Sequence, residues 1–226
     1  MAAETREEEY LEVAGRYSKE ELGTLAIAQA RLVLEMESKP FVDCLGPFYT
    51  EINSHAAATA RGEFYTPQEV SEMMAKVTVD AESVIERGLP ITVSDPCTGS
   101  GGMILALAKQ FSSIIQKGEA SYVDLLRVSA VDINPVACDM TYINTSLWGI
   151  PAKILRGNTL SMEFDRGWKN IHWARVGEDQ RLEMKAQVEQ MQMFVERLGE
   201  RKNPSTSSSK AEITLQKDGE QFLMDL

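Results

Sequence analysis

The sequence predicts an α/β fold built on a parallel sheet. Three β-branched, apolar stretches carry the prediction: PITVSD at 90–95, LLRVSAVD at 125–132 and AKILRG at 152–157. Helical patterns at 101–117 and 134–148 separate them. A loop almost without side chains, DPCTGSGG at 95–102, leads from the first strand into the first of these helices. Strand, helix, strand, helix, strand is the order of a parallel sheet joined by right-handed crossovers.

The flanking elements read as follows. Residues 4–38 look helical, with Ser18-Lys19-Glu20-Glu21 as a capping box ahead of ELGTLAIAQARLVLEME, whose apolar residues recur at three- and four-residue intervals. Pro40 closes that helix. FVDCLGPFYTEI is a short helical or irregular stretch, and NSHAAATARGE a small-residue loop. Thr66 is placed to N-cap a helix with Pro67 in its first turn, running through Val77. After Gly157 the segment NTLSMEFDRGWKNIHWARV shows no clean period. A strong helix follows at 178–201, with Met184, Val188, Met191, Val195 and Leu198 spaced alternately four and three apart. That stripe fits packing on the chain's own core, or a coiled coil with a second copy or a partner protein. KNPSTSSSK is a linker by composition, and AEITLQKDGEQFLMDL a short strand or a mobile tail. The expected organisation is an N-terminal helical region at 1–61, a core at 62–176, a long helix at 177–202, and a linker and tail at 203–226.

Composition excludes several classes. No apolar run approaches the roughly 20 residues a membrane span needs, and the acidic start MAAETREEEY is no secretory signal. Three scattered cysteines and two histidines offer no metal-ligand spacing, so no metal is expected. A reduced, cytoplasmic protein fits best. The net charge of −11 would repel a polyanion at long range, so nothing here reads as a self-sufficient DNA-binding module.

Glycines at 99, 101 and 102 let the backbone turn sharply and bring N–H groups beside a ligand, at the carboxyl edge where parallel sheets bind ligands. The spacing G-x-G-G departs from G-x-G-x-x-G, which argues against a dinucleotide, and no Gly-Lys-Ser/Thr follows to make a Walker A loop. The second strand ends in Asp132 and Ile133. An acid at that tip suits the two hydroxyls of a ribose, and a neighbouring apolar side chain the face of an adenine.

Three segments in this order, GEFYTP at 62–67, DPCTGSGGM at 95–103 and VDINPVACDMTYINTSLWGIPAKILRGNTL at 131–160, resemble the adenine-N6 DNA methyltransferases. The likeness is to those found in type I restriction-modification subunits and in phage or mobile-element methylase-like proteins, and covers about residues 40–160. The resemblance implies a Rossmann-like methyltransferase fold, truncated here, with S-adenosylmethionine as cofactor. By position, Phe64, Tyr65, Thr66 and Pro67 would flank the methionine moiety. Asp95, Pro96, Thr98, Gly99, Ser100 and Gly101 would receive its amino-acid end, with Asp95 toward the ammonium group. Asp132 would hold the ribose, Ile133 the adenine face and Asn158 the adenine edge.

The chain departs from that family in one segment. The family's Asn/Asp/Ser-Pro-Pro-Tyr/Phe loop grips the target adenine and should follow GNTL within a couple of dozen residues. SMEFDRGWKNIHWARV at 161–176 contains no proline. The 69 residues after Gly157 also leave no room for the rest of a seven-stranded sheet and a target-recognition domain. Trp168, His172 and Trp173 fit base stacking or, more simply, core packing. The expectation is a cofactor-binding protein, catalytically silent alone, that acts through a partner or as a regulator or decoy, with DNA engaged only if a partner supplies recognition. The alternatives are an active adenine methyltransferase completed by another subunit, and a methyltransferase for a different acceptor.

Overall fold

The computed structural model describes residues 7–52, 65–115 and 121–202. The expected loop at 53–63, Phe64, and the linker and tail at 203–226 lie outside these residues. Helices α1 (Glu7–Ala14) and α2 (Lys19–Ser38) come first. The capping box forms as expected: the Glu21 N–H donates to Ser18 Oγ at 3.3 Å and the Ser18 N–H to Glu21 Oε2 at 2.8 Å. Helix α3 (Leu45–Ile52) resolves the FVDCLGPFYTEI stretch in favour of a helix.

Helix α4 (Gln68–Thr78) corrects one expectation. Pro67, not Thr66, occupies the cap position, and no side chain caps the helix. The first-turn N–H groups of Val70 and Ser71 donate to the Pro67 carbonyl, both at 3.0 Å, so the Thr66 hydroxyl sits one residue too early to reach them. Helix α5 (Ala81–Arg87) was not anticipated. Asp80 caps it by accepting from the Ser83 N–H at 3.2 Å, and Gly88 ends it at φ +64°.

The sheet then builds strand by strand: β1 (Ile91–Asp95), α6 (Gly102–Ile114), α7 (Tyr122–Leu125), β2 (Leu126–Asp132), α8 (Pro135–Leu147), β3 (Ala152–Asn158) and β4 (Glu163–Lys169). Its order is β1-β2-β3-β4. The first three strands are parallel, as expected. Strand β4 is new: it returns antiparallel beside β3, pairing Ile154 with Trp168, with an irregularity at Arg156/Gly157. Helices α9 (Ile171–Arg175) and α10 (Glu178–Lys202) complete the described chain.

Burial alternates along β1 and the start of β3, because successive side chains of a strand point to opposite faces, whereas β2 is buried on both. Ile91 and Val93 of β1, Leu126, Val128 and Ala130 of β2, and Ala152 and Ile154 of β3 share one core with Ala75, Ile104, Leu105 and Phe111 from α4 and α6. Thr92 and Ser94, on the opposite face of β1, are exposed. Parallel sheets are normally covered on both faces. At β2 the second face is covered too: Arg127 and Val131 are buried, and Arg127 Nε donates to Glu178 Oε2 at 3.1 Å, which ties the start of α10 to β2. Trp168 and Trp173 are 6% and 4% exposed, so both tryptophans are packing residues. His172 Nε2 lies 3.0 Å from the Ser146 carbonyl.

The first three residues of the α10 stripe are not packed on the core. Met184, Val188 and Met191 are 66%, 51% and 64% exposed.

Candidate cofactor site at the carboxyl edge of the sheet

Because β1, β2 and β3 run parallel, Asp95, Asp132 and Asn158 at their ends share one edge of the sheet. The glycine loop crosses that edge between β1 and α6. Gly99 and Gly101 adopt φ +57° and +87°, left-handed conformations that cost a residue with a Cβ about 1–2 kcal/mol. Gly102 differs from the sequence expectation: it is simply the first residue of α6, and an added Cβ would meet nothing closer than 3.8 Å.

Hydrogen bonds hold the loop from several sides. The Thr98 N–H donates to the Val131 carbonyl at 2.9 Å, and the Gly101 N–H to the Thr98 carbonyl at 2.8 Å. The Thr141 hydroxyl donates to the Gly99 carbonyl at 3.0 Å. Asp132 binds the loop directly: its Oδ2 accepts from the Gly99 N–H and its Oδ1 from the Asn134 N–H, each at 2.8 Å. A carboxylate has about four acceptor positions, so two remain on Asp132 for a ligand. The helix cap is Asn134, which accepts from the Val136 N–H at 2.9 Å. Asp132 therefore braces the loop and the turn into α8 without capping the helix itself.

Asp95 is electrostatically unusual. Its Oδ1 accepts from the Cys97 N–H at 3.3 Å, while Oδ2 is buried without a hydrogen-bond partner. Burial pushes this carboxyl up to about 6, and the nearby charge of Asp132 adds to the effect. The Cys97 N–H and the Thr98 hydroxyl oppose it. A buried carboxylate with an open oxygen is matched to a cationic donor arriving from outside.

Beside Asp95 lies a cavity of about 490 Å³, running along β1 between α4 and α6 and lined by Thr66, Val70, Met74, Val93, Asp95 and Ile104 among others. Pro96 also lines it, and its carbonyl accepts from the Thr159 hydroxyl at 2.7 Å, which ties the exit of β3 to the loop. Tyr65 lies over the loop: a Cβ on Gly99 would come within 3.4 Å of its ring. Tyr49 meets Tyr65 edge to face, with centroids 6.0 Å apart.

Of the residues expected from sequence, Tyr65, Thr66, Asp95, Pro96, Thr98, Gly99, Ser100, Gly101 and Asp132 surround the loop and its cavity. Pro67 is exposed at the cap of α4. Ile133 is 70% exposed, just past the end of β2. Asn158 is exposed, and its Oδ1 accepts from the Leu160 N–H at 2.9 Å. The sequence did not announce Asp43, just before α3, or Thr141 and Asn144 of α8, which bond to the loop, or Tyr49 of α3, which packs on Tyr65. Among the described residues no cluster of His, Cys, Asp and Glu could hold a metal, and no helix is long and apolar enough to cross a membrane.

Comparison with known proteins adds three findings. A class I S-adenosylmethionine-dependent methyltransferase from Listeria monocytogenes aligns over 42% of this chain and 26% of its own, at 16% identity and TM-score 0.32. The methyltransferase subunit of a type I restriction-modification system from Streptococcus thermophilus aligns over 45% of this chain and 20% of its own, at 24% identity and TM-score 0.33. The chain thus spans about a quarter and a fifth of those solved chains. The profile of the N-6 DNA Methylase family matches residues 42–176, more than half of the chain and all of the parallel sheet, its glycine loop and Asp132. The chain belongs to the N-6 DNA methylase family.

Proposed function

We propose that this chain binds S-adenosylmethionine at the glycine loop and transfers no methyl group by itself, acting through a partner protein or as a regulator or decoy. The observation that carries the cofactor reading is the open, buried Oδ2 of Asp95. The residues present fit the ligand. Asp95 supplies a carboxylate for the ammonium group, and Gly99 to Gly101 let the amino-acid end approach the backbone. Asp132 keeps two acceptor positions for ribose hydroxyls, and Ile133 offers an apolar side chain for the adenine. Bound there, S-adenosylmethionine supplies an electrophilic methyl group. The chain's own residues hold and orient it, and Asp95 must give up its proton to pair with a cation.

Silence alone is supported by the residues that follow β3 and by the edge of β1 that is bare among the described residues. The segment 161–176 has no proline, and the structure uses it for β4 and α9 at the far edge of the sheet. The outer edge of β1, beside the cofactor loop, has no neighbouring strand among the described residues. A second reading rests on that same edge: an adenine-N6 methyltransferase whose base-gripping loop comes from another subunit. The exposed stripe of α10 offers a contact for such a partner or for a second copy, and DNA recognition would come with the partner. The cytoplasm is the compartment in which either reading works.

Transfer of a tritiated methyl group to unmethylated DNA separates the two, assayed with the chain alone and with candidate partner subunits added. No incorporation by the chain alone supports silence, and robust incorporation by the chain alone refutes it. Incorporation only with a partner establishes the second reading.

A further inference from the structure

The glycine loop is held from below by a carboxylate far away in sequence. Asp43 precedes α3, and its Oδ1 accepts from the N–H groups of Leu45 and Gly46, both at 3.1 Å, so it caps that helix. The same Oδ1 accepts from Asn144 Nδ2 of α8 at 3.2 Å. Its Oδ2 accepts from the hydroxyl of Ser100, in the middle of the loop. Asn144 closes the arrangement by donating to the Ser100 carbonyl at 2.7 Å. Ser100 and Asn144 are buried, so these bonds are sheltered from competing water.

The approach of α3 to the loop is close enough to require a glycine. A Cβ on Gly46 would lie 2.6 Å from Ser100 Oγ and 3.1 Å from the Tyr65 ring, as well as against Asp43. Ser100 stands between the two left-handed glycines. Fixing both its hydroxyl and its carbonyl therefore fixes the peptide planes that face a ligand.

We infer that Asp43 is a positioning residue for the cofactor site: its carboxylate, acting through Ser100 and Asn144, sets the ligand-binding form of the glycine loop. This rests on the proposed cofactor reading, but the loop conformation is measurable without any ligand. Asp43→Ala removes the bond to Ser100, the bond from Asn144 and the α3 cap together. Asp43→Asn keeps an acceptor for the α3 cap and an amide that donates to the Ser100 hydroxyl. Ser100→Ala removes the loop contact alone and leaves the α3 cap intact.

The test combines hydrogen-deuterium exchange on the ligand-free chain with calorimetric titration by S-adenosylmethionine. In Asp43→Ala and Ser100→Ala, exchange over 97–103 should accelerate about tenfold or more while β2 stays protected. Cofactor affinity should fall about 10- to 100-fold, the range for losing hydrogen bonds to a charged group. Asp43→Asn should recover most of both. Unchanged exchange over 97–103 in both variants overturns the inference. So does equal acceleration over 97–103 and β2, which would make Asp43 a general stabilising residue. If wild type binds no S-adenosylmethionine, the cofactor reading fails, while the exchange arm still decides the role of Asp43.

Discussion

Asp95 makes stability depend on pH in a direction opposite to that of a salt-bridged acid. A carboxyl that titrates at about 6 when folded and 3.8 when unfolded binds more protons in the folded state across that interval. Stability from this group is therefore fully present below the unfolded value and is lost as pH rises through the folded one. The interval corresponds to about 3 kcal/mol by pH 7. Glu72, Asp165 and Asp179 are held below the usual carboxylate range, in each case first by a hydrogen bond from a basic side chain, and they push stability the other way. Subtracting a variant isolates Asp95. Asp95→Asn keeps an oxygen for the Cys97 N–H but cannot ionise. Urea unfolding of both chains at pH 4, 5, 6, 7 and 8 should show the variant gaining on wild type by about 2.5 kcal/mol between pH 4 and 7, whatever the offset at pH 4, because the unfolded carboxyl is already partly ionised at pH 4. A difference that stays flat across the series refutes the burial argument. Saturating S-adenosylmethionine should remove the loss of stability with rising pH that Asp95 contributes in wild type, because an ammonium group on Asp95 holds it ionised.

Other consequences follow from the same geometry. Gly101→Ala should cost about 1–2 kcal/mol in urea unfolding, from its left-handed φ and the Thr141 hydroxyl 3.3 Å from the new Cβ, while Gly102→Ala should be nearly neutral. Equal losses would contradict the loop conformation. Glu178→Ala leaves Arg127 buried and unpaired, and should destabilise the chain by about 3–5 kcal/mol in thermal or urea unfolding. Met191→Glu, on the exposed stripe of α10, should weaken association with a partner or second copy in sedimentation experiments without changing the melting temperature. A lower melting temperature would place the stripe in the chain's own fold.

The parallel core was legible because β1, β2 and β3 are apolar, β-branched runs closed by glycine, asparagine or proline turns. Strand β4 was not, because EFDRGWK is an edge strand in which only Trp168 is buried. Its identity comes from pairing with β3, a tertiary fact. Helix α5 escaped notice at seven residues, although Asp80 and Gly88 were visible cap signals. The loop and Asp132 could be found because ligand chemistry demands small residues and an acid at strand ends. Asp43 could not, since its partners Ser100 and Asn144 lie 57 and 101 residues away and nothing in FVDC announces them.

The glycine loop, Asp95 and Asp132 together form the seat proposed for S-adenosylmethionine. Calorimetric titration of the purified chain at pH 7.5 tests it most directly, with Asp132→Ala in parallel. Binding should be saturable and one-to-one, and should weaken by about 2–3 kcal/mol in the variant, which loses charge-assisted hydrogen bonds to the ribose. No heat at high micromolar ligand, or the same affinity in both chains, would contradict it.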